Sequence, residues 1–150
     1  MIDIPELPAL APAGADRMRA LAETILLDFS HPRVAALVQG RGWQQLTEHG
    51  RIAAAYAFVR DEIAFGYNRD DDLKASEVLA DGYGQCNTKS TLMMALLRAL
   101  GIPCRFHGFT IDKQLQRGAI TGLAYWLAPR NIIHSWVEVW TGERWARLEG

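Results

Sequence analysis

Apolar side chains recur at helical spacing through the first part of the chain and alternate with polar ones towards its end. Met18, Leu21, Ala22, Ile25 and Leu26 fall on one face of a helix that Asp16 can cap and that runs to about Phe29. A shorter helix follows Ser30 and Pro32 and stops at Gly40. Thr47 opens another, in which Ile52, Ala55, Tyr56, Val59 and Ile63 repeat before Gly66. Asn68–Lys74 is a charged loop, and Ser76 reads as the cap of a short helical turn that ends before Asp81-Gly82. The next periodic run has the sharpest boundaries. It begins after Gly82-Tyr83-Gly84-Gln85, places Thr88, Leu92, Met93, Leu96, Leu97 and Leu100 on its lining positions, and is stopped by Gly101 and Pro103.

Beyond Pro103 the period changes from the helical one to two. Cys104–Ile111 suits a strand despite Gly108, and Ile132–Trp140 and Trp145–Glu149 close the chain as two more. Between them Lys113–Asn131, broken by Gly118, Gly122 and Pro129, is expected to form a loop over a cleft. Helices first and antiparallel strands last define an α+β fold. Alternation sets His134, Trp136, Glu138 and Trp140 on one face of the late strand and Ser135, Val137 and Val139 on the other. With Thr141-Gly142 as a two-residue hairpin loop, Trp140 pairs with Glu143 and His134 comes opposite Glu149. Residues 1–14, punctuated by Pro5, Pro8 and Pro12, read as an extended strap, and residues 15–150 as a single domain.

Bulk properties exclude several classes of function. A chain of 150 residues suffices for one conventional core, and 49% hydrophobic with 22% charged residues is ordinary for a soluble domain. The net charge of -1, with basic residues scattered, argues against nucleic-acid binding. There is no run of membrane-spanning length and the acidic, proline-broken start does not resemble a signal peptide, so neither a membrane role nor export is expected. Cys86 and Cys104 are too few to build a disulfide scaffold, which makes the reducing cytoplasm the default compartment.

The candidate chemistry centres on Cys86, which sits where the glycine-containing turn meets the helix. A thiol there receives the positive helix end and unpaired backbone NH donors, conditions that stabilise a thiolate. His134 opens a strand far downstream and Glu149 follows it. Cysteine, histidine and carboxylate in this order suit acyl transfer: Cys86 attacks an acyl carbon, His134 acts as general base and then general acid, and Glu149 orients the imidazole. Asp112 and Asn131 are substitutes for the last role. The Cys86 backbone NH can contribute to an oxyanion hole, with Gln85, Tyr83 or Tyr67 as candidate second donors. Trp136 could shield the His134–Glu149 bond from water, and Trp126 is a candidate cleft residue.

These segments resemble the transglutaminase-like group of the papain-like cysteine enzymes. Tyr83-Gly84-Gln85-Cys86 is similar to the nucleophile motif of animal transglutaminases, with Asn87 where a Trp is usual. Arg98-Ala99-Leu100-Gly101-Ile102-Pro103-Cys104-Arg105 resembles the "R-A-L-G-I-P-A-R" segment of microbial members. His134-Ser135-Trp136-Val137-Glu138-Val139 resembles "H-x-W-x-E-V", and Trp145-Ala146-Arg147-Leu148-Glu149 resembles "W-x-x-L-D", with Glu149 in place of Asp. The similarity spans roughly Ala75 to Glu149. It implies a nucleophile helix packed on an antiparallel sheet that carries the histidine and the acid. It also implies amide transfer, proteolysis or peptide deamidation as the range of activities, with a peptide or protein substrate.

Hydrolysis is favoured over transfer, since nothing in the sequence builds a dedicated amine pocket. The competing expectation is a catalytically inactive fold serving as a peptide-binding module, to which the Asn87 and Glu149 departures lend support. No cofactor is expected. Cys86, Cys104, His107 and His134 lack the short Cys-x2-Cys pairing of structural zinc sites, and Asp70-Asp71-Asp72 lacks the ligand order of a calcium loop and reads as solvated. Cys104 is expected to be a small core residue. Because Glu149 lies one residue from the end, C-terminal truncation of a longer chain is a further expectation.

Overall fold

The computed structural model describes residues 14–112 and 131–148, the side chains of 109–112 and 131–134 excepted. Five helices precede the main sheet in this region: α1 (Gly14–Leu21), α2 (Pro32–Gly40), α3 (Glu48–Asp61), α4 (Ala75–Asp81) and α5 (Cys86–Ala99). A short parallel pair, β1 (Ala64–Phe65) with β2 (Tyr83–Gly84), is interleaved with them, and the sequence pattern had not indicated it. The main sheet is antiparallel in the order β3 (Cys104–Asp112), β4 (Asn131–Trp140), β5 (Trp145–Leu148). This is the expected α+β architecture, with the helix that begins at Cys86 packed on an antiparallel sheet. The proposed strap and cleft loop, residues 1–13 and 113–130, lie outside the described residues.

α5 is the axis of the molecule. Leu92, Ala95, Leu96 and Leu97 are completely buried and Met93 nearly so, because α3, α4, β4 and β3 all pack on the helix. A helix covered on all sides has no polar stripe, and even Thr88, Lys89 and Ser90 are buried. Its end follows from sequence. Gly101 takes φ +76, Ile102 N–H bonds Leu97 O at 2.9 Å and Gly101 N–H bonds Arg98 O at 3.0 Å, the paired bonds of a Schellman stop. Thr47 caps α3 as expected, its Oγ1 accepting from Gly50 N–H at 3.2 Å.

Three expectations are corrected. The first helix ends at Leu21 rather than near Phe29, and Met18 and Ile25 of its supposed buried face are 74% and 81% exposed. Polar side chains take over the backbone in the following segment. Thr24 Oγ1 accepts from Leu27 N–H at 3.1 Å and Glu23 accepts from Ser30 N–H at 2.8 Å, local bonds that compete with helix. Second, the N-cap position of α4 is Lys74, not Ser76. Ser76 lies in the first turn and gives both its N–H and its hydroxyl to the Asp28 carboxylate, at 3.0 and 2.6 Å, so an acid distant in sequence neutralises the helix end.

Third, the β4–β5 loop is four residues long, Trp140 pairing with Trp145 instead of Glu143. Thr141 makes the difference. Its N–H donates to Arg144 O at 3.0 Å while its Oγ1 accepts from Arg144 N–H at 3.3 Å, a side chain standing in for the carbonyl of a tighter turn. The alternation along β4 holds from 135 to 139, with Ser135, Val137 and Val139 buried and Trp136 and Glu138 half-buried on the other face; at the strand end Trp140 is buried as well, its ring edge-on to Trp145.

Candidate active site

Cys86 is the first residue of α5 and is half-buried, and Gln85 holds the N-cap position in an extended conformation. What fixes this turn is a set of polar side chains from the loop after β1. Gln85 N–H donates to Thr88 Oγ1 at 3.0 Å, half of a capping box. The Thr88 hydroxyl in turn donates to Asn68 Oδ1 at 2.7 Å. Asn68 N–H donates to Gln85 Oε1 at 2.8 Å, and the Asn68 amide donates to Asp81 Oδ2 and to Tyr83 O, both at 3.1 Å. On the far side of the thiol, Asn87 Nδ2 donates to Asp71 Oδ1 at 2.9 Å, the same oxygen that accepts from Gln85 Nε2 at 2.7 Å. Gly84 allows this packing: a Cβ there would stand 2.6 Å from Thr88 Oγ1.

Of the candidate oxyanion donors, Gln85 is buried and both ends of its amide are engaged, so its visible work is to hold the turn. Tyr67 is 78% exposed with its ring edge-on to Phe65 at 5.7 Å, and Tyr83 packs over Gly66. His134 lies in β4 opposite Phe109 of β3, in the strand that packs against α5, and its side chain is outside the described residues. Glu149 and Trp126 are also outside them. Asp112 and Asn131 form the last pair of the β3–β4 ladder.

Trp136 stacks on His107 with centroids 5.5 Å apart and planes 5° from parallel, and the Arg147 guanidinium lies 4.2 Å from its ring centroid. Beside it, Glu138 accepts from Arg105 Nε at 2.8 Å and lies 3.0 Å from His107 Nε2. Burial works to raise the Glu138 carboxyl, but hydrogen bonding from Arg105 and the charges of His107 and Arg105 prevail and hold it below the usual carboxylate range.

The second cysteine is chemically distinct. Cys104 is fully buried, its Sγ donates to Met94 O at 3.6 Å, and burial pushes the thiol up to about 11. Neither cysteine is in a disulfide. No cluster of three or more His, Cys, Asp or Glu residues that could hold a metal occurs among the described residues. The aspartate run is exposed, yet Asp71 is engaged by Gln85 and Asn87 instead of being only solvated. The bonds that Asn68, Asp71 and Thr88 make around Cys86 escaped the sequence reading, which had them as loop, solvated and lining positions, since bonds from a loop to a helix start leave no periodic trace. The partial signal was the small Thr88 hydroxyl three residues after Gln85.

A half-buried thiol at the start of a central helix, with a histidine-bearing strand packed on that helix, is the architecture of papain-like cysteine proteins. The sequence profile of the transglutaminase-like superfamily matches residues 31–150, and the chain belongs to that superfamily. Over 97 residues, or 63% of its length, it is 31% identical to the uncharacterised protein YebA of Bacillus subtilis (strain 168), of which it spans 13%. A Cytophaga hutchinsonii protein described as a candidate cysteine protease shares the fold with a TM-score of 0.67 at 15% identity, over 91% of this chain and 42% of that one. The periplasmic domain of TgpA from Pseudomonas aeruginosa, solved with ethylmercury bound, gives a TM-score of 0.53 at 17% identity, over 89% and 47%. The chain thus spans less than half of each of these proteins. No helix among the described residues is long and apolar enough to cross a membrane.

Proposed function

We propose that the protein is a cysteine-nucleophile enzyme that opens peptide or side-chain carboxamide bonds through a thioester. The observation that supports this best is the pre-organised start of α5, where Cys86 is held between two tethered amides at the positive end of a buried helix. Cys86 Sγ adds to the carbonyl carbon while His134 takes the thiol proton, and the Cys86 backbone N–H faces the developing oxyanion. The C–N bond then breaks, the leaving amine departs with the proton from His134, and water or a second amine attacks the thioester by the reverse sequence. Hydrolysis is the favoured outcome, because water needs no pocket of its own.

Glu149 completes the triad in this reading by orienting His134. The four-residue β4–β5 loop shifts the pairing by two positions from the two-residue hairpin. A shift of two preserves which alternate positions share a face, so Glu149 keeps that role in the proposal. The relatives' descriptions, a candidate cysteine protease and a transglutaminase-like superfamily, fit the same chemistry.

The test is mass spectrometry of a glutamine-containing peptide library incubated with the purified chain, with and without added amine. Deamidation, cleavage or amine incorporation would each name the reaction. Cys86→Ala is expected to abolish turnover and His134→Ala nearly to do so, and unchanged rates in both would refute the mechanism. Asn87 in place of the motif's Trp favours one rival, a binding module that has lost its chemistry. Selective alkylation separates the two: the enzyme reading requires iodoacetamide to modify Cys86 much faster than Cys104, and equally slow rates support the module.

A further inference from the structure

We propose that Asp71 is a positioning residue for Cys86, one carboxylate oxygen that locks the residues on both sides of the nucleophile. The proposal rests on the reading of Cys86 as the nucleophile and adds to it a device that neither the superfamily motif nor the triad contains. Asp71 Oδ1 accepts from Gln85 Nε2 at 2.7 Å and from Asn87 Nδ2 at 2.9 Å. Both lone pairs of that oxygen are used, so one acceptor atom holds both side-chain amides. The Asn87 arm depends on the residue by which this chain departs from the family's usual Trp, so here the departure has a structural use.

The loop does not depend on this contact for its place. Asn68 ties it independently to Gln85, Thr88, Asp81 and Tyr83, and Leu73 anchors it in the core at 3% exposure. What the Asp71 contact adds is resistance to rocking of the first helical turn, which carries both the thiol and the backbone N–H that faces the oxyanion. Acyl transfer needs those two groups fixed relative to each other, and small misplacements are costly. The benefit does not come from the charge of Asp71, because a negative charge does nothing to favour a developing thiolate or oxyanion. It comes from the acceptor geometry, and an amide oxygen supplies that as well.

Two probes on the full chain separate the roles. Iodoacetamide alkylation of Cys86, resolved from Cys104 by peptide mass spectrometry, reads the nucleophilicity of the thiol alone. p-Nitrophenyl acetate, through nitrophenolate release, reads acylation, which needs the thiol and the oxyanion donor together. Asp71→Ala is expected to leave alkylation within about twofold and to slow acylation about tenfold. Asp71→Asn is expected to rescue acylation to within about twofold of the wild type, since it keeps the acceptor. Should Asp71→Ala fail to fold, Asn87→Ala breaks one arm only and is expected to slow acylation about threefold.

Wild-type Cys86 inert to both probes would sink the nucleophile reading and this inference with it. A reactive wild type with acylation unchanged in Asp71→Ala, or in Asn87→Ala where that variant is the one that folds, would overturn the inference alone. Asp71→Asn as slow as Asp71→Ala would do the same, by assigning the effect to charge.

Discussion

Gly84→Ala tests how tightly the turn before Cys86 is built. The new Cβ would stand 2.6 Å from Thr88 Oγ1, 3.2 Å from Lys89 Cγ and 3.3 Å from Asn68 Oδ1. The first of these contacts is intolerable, and Thr88 cannot yield cheaply. Its side chain is completely buried and its hydroxyl is shared between Gln85 N–H and Asn68 Oδ1. Overpacking of this kind costs about 1–3 kcal/mol, and turning Thr88 away forfeits two hydrogen bonds at about 1 kcal/mol each. Gly84 has no left-handed φ, so backbone strain does not contribute, and a small entropic gain from alanine offsets part of the loss. The net expectation is about 2–4 kcal/mol, or a fall in Tm of about 5–15 °C for a chain of this length. Urea denaturation and thermal melts read it. Gly40→Ala is the control: the last residue of α2 has nothing within 4 Å of its Cβ position, so the change is expected to be neutral or stabilising by up to about 1 kcal/mol. Gly84→Ala should also cost at least about 1 kcal/mol less in a Thr88→Ala background, where the clashing oxygen is gone. A Gly84→Ala protein within about 0.5 kcal/mol of wild type would refute the steric account of this turn.

Three further outcomes follow from the same structure. Burial raises the Cys104 thiol from an ordinary 9.0 to about 11, so the folded state holds its proton longer than the unfolded one; stability from this source is complete below 9.0 and about 2–3 kcal/mol is lost as pH climbs to about 11. Urea titrations from pH about 8 to about 11 should show a steeper decline for wild type than for Cys104→Ala, and parallel curves would contradict the assignment. Glu138 is held below its ordinary 4.5, so its contribution is present above that value and disappears as pH falls through the folded-state value; Glu138→Gln should flatten the acid limb of the stability curve, and an unchanged limb would count against the Arg105 and His107 contacts. Asp28→Ala removes the distant cap of α4 and should cost about 1–2 kcal/mol by chemical denaturation, whereas a loss below about 0.3 kcal/mol would mean that solvent replaces it.

The parts of the fold that could be read in advance are those whose causes lie within a few residues. The end of α5 needs only Gly101 and its neighbours, the start of α3 needs only Thr47 and Gly50, and the burial of Ser135, Val137 and Val139 follows from the pleat. The corrections arise where a remote side chain decides. Periodicity marked 22–29 as helix, yet Asp28 is needed at the start of α4, Leu26 O is needed by Ala75 N–H, and Arg98 reaches Ala22 O. A segment whose polar groups serve α4 and α5 cannot also spend them along its own axis. The hairpin erred for a local reason of a different kind: Thr141 can imitate a carbonyl, which lengthened the loop.

The candidate site divides along the same line. Cys86 was legible because a helix start is a local event, whereas Gln85 stood out as a motif letter and a candidate oxyanion donor and Asn87 only as a departure from the motif. Their chemistry became visible when the loop at 68–71 was folded back upon them, since hydrogen bonds between a loop and a helix N-terminus obey no repeat in the sequence. The sheet contributes in the opposite way. Its register differs by two residues from the two-residue hairpin, which changes every direct partner but leaves each side chain on its expected face; only a slip of one would exchange the faces. The turn that carries Cys86 is therefore set by tertiary polar contacts that tolerate little change, and the faces of β4 by an alternation that tolerates a good deal.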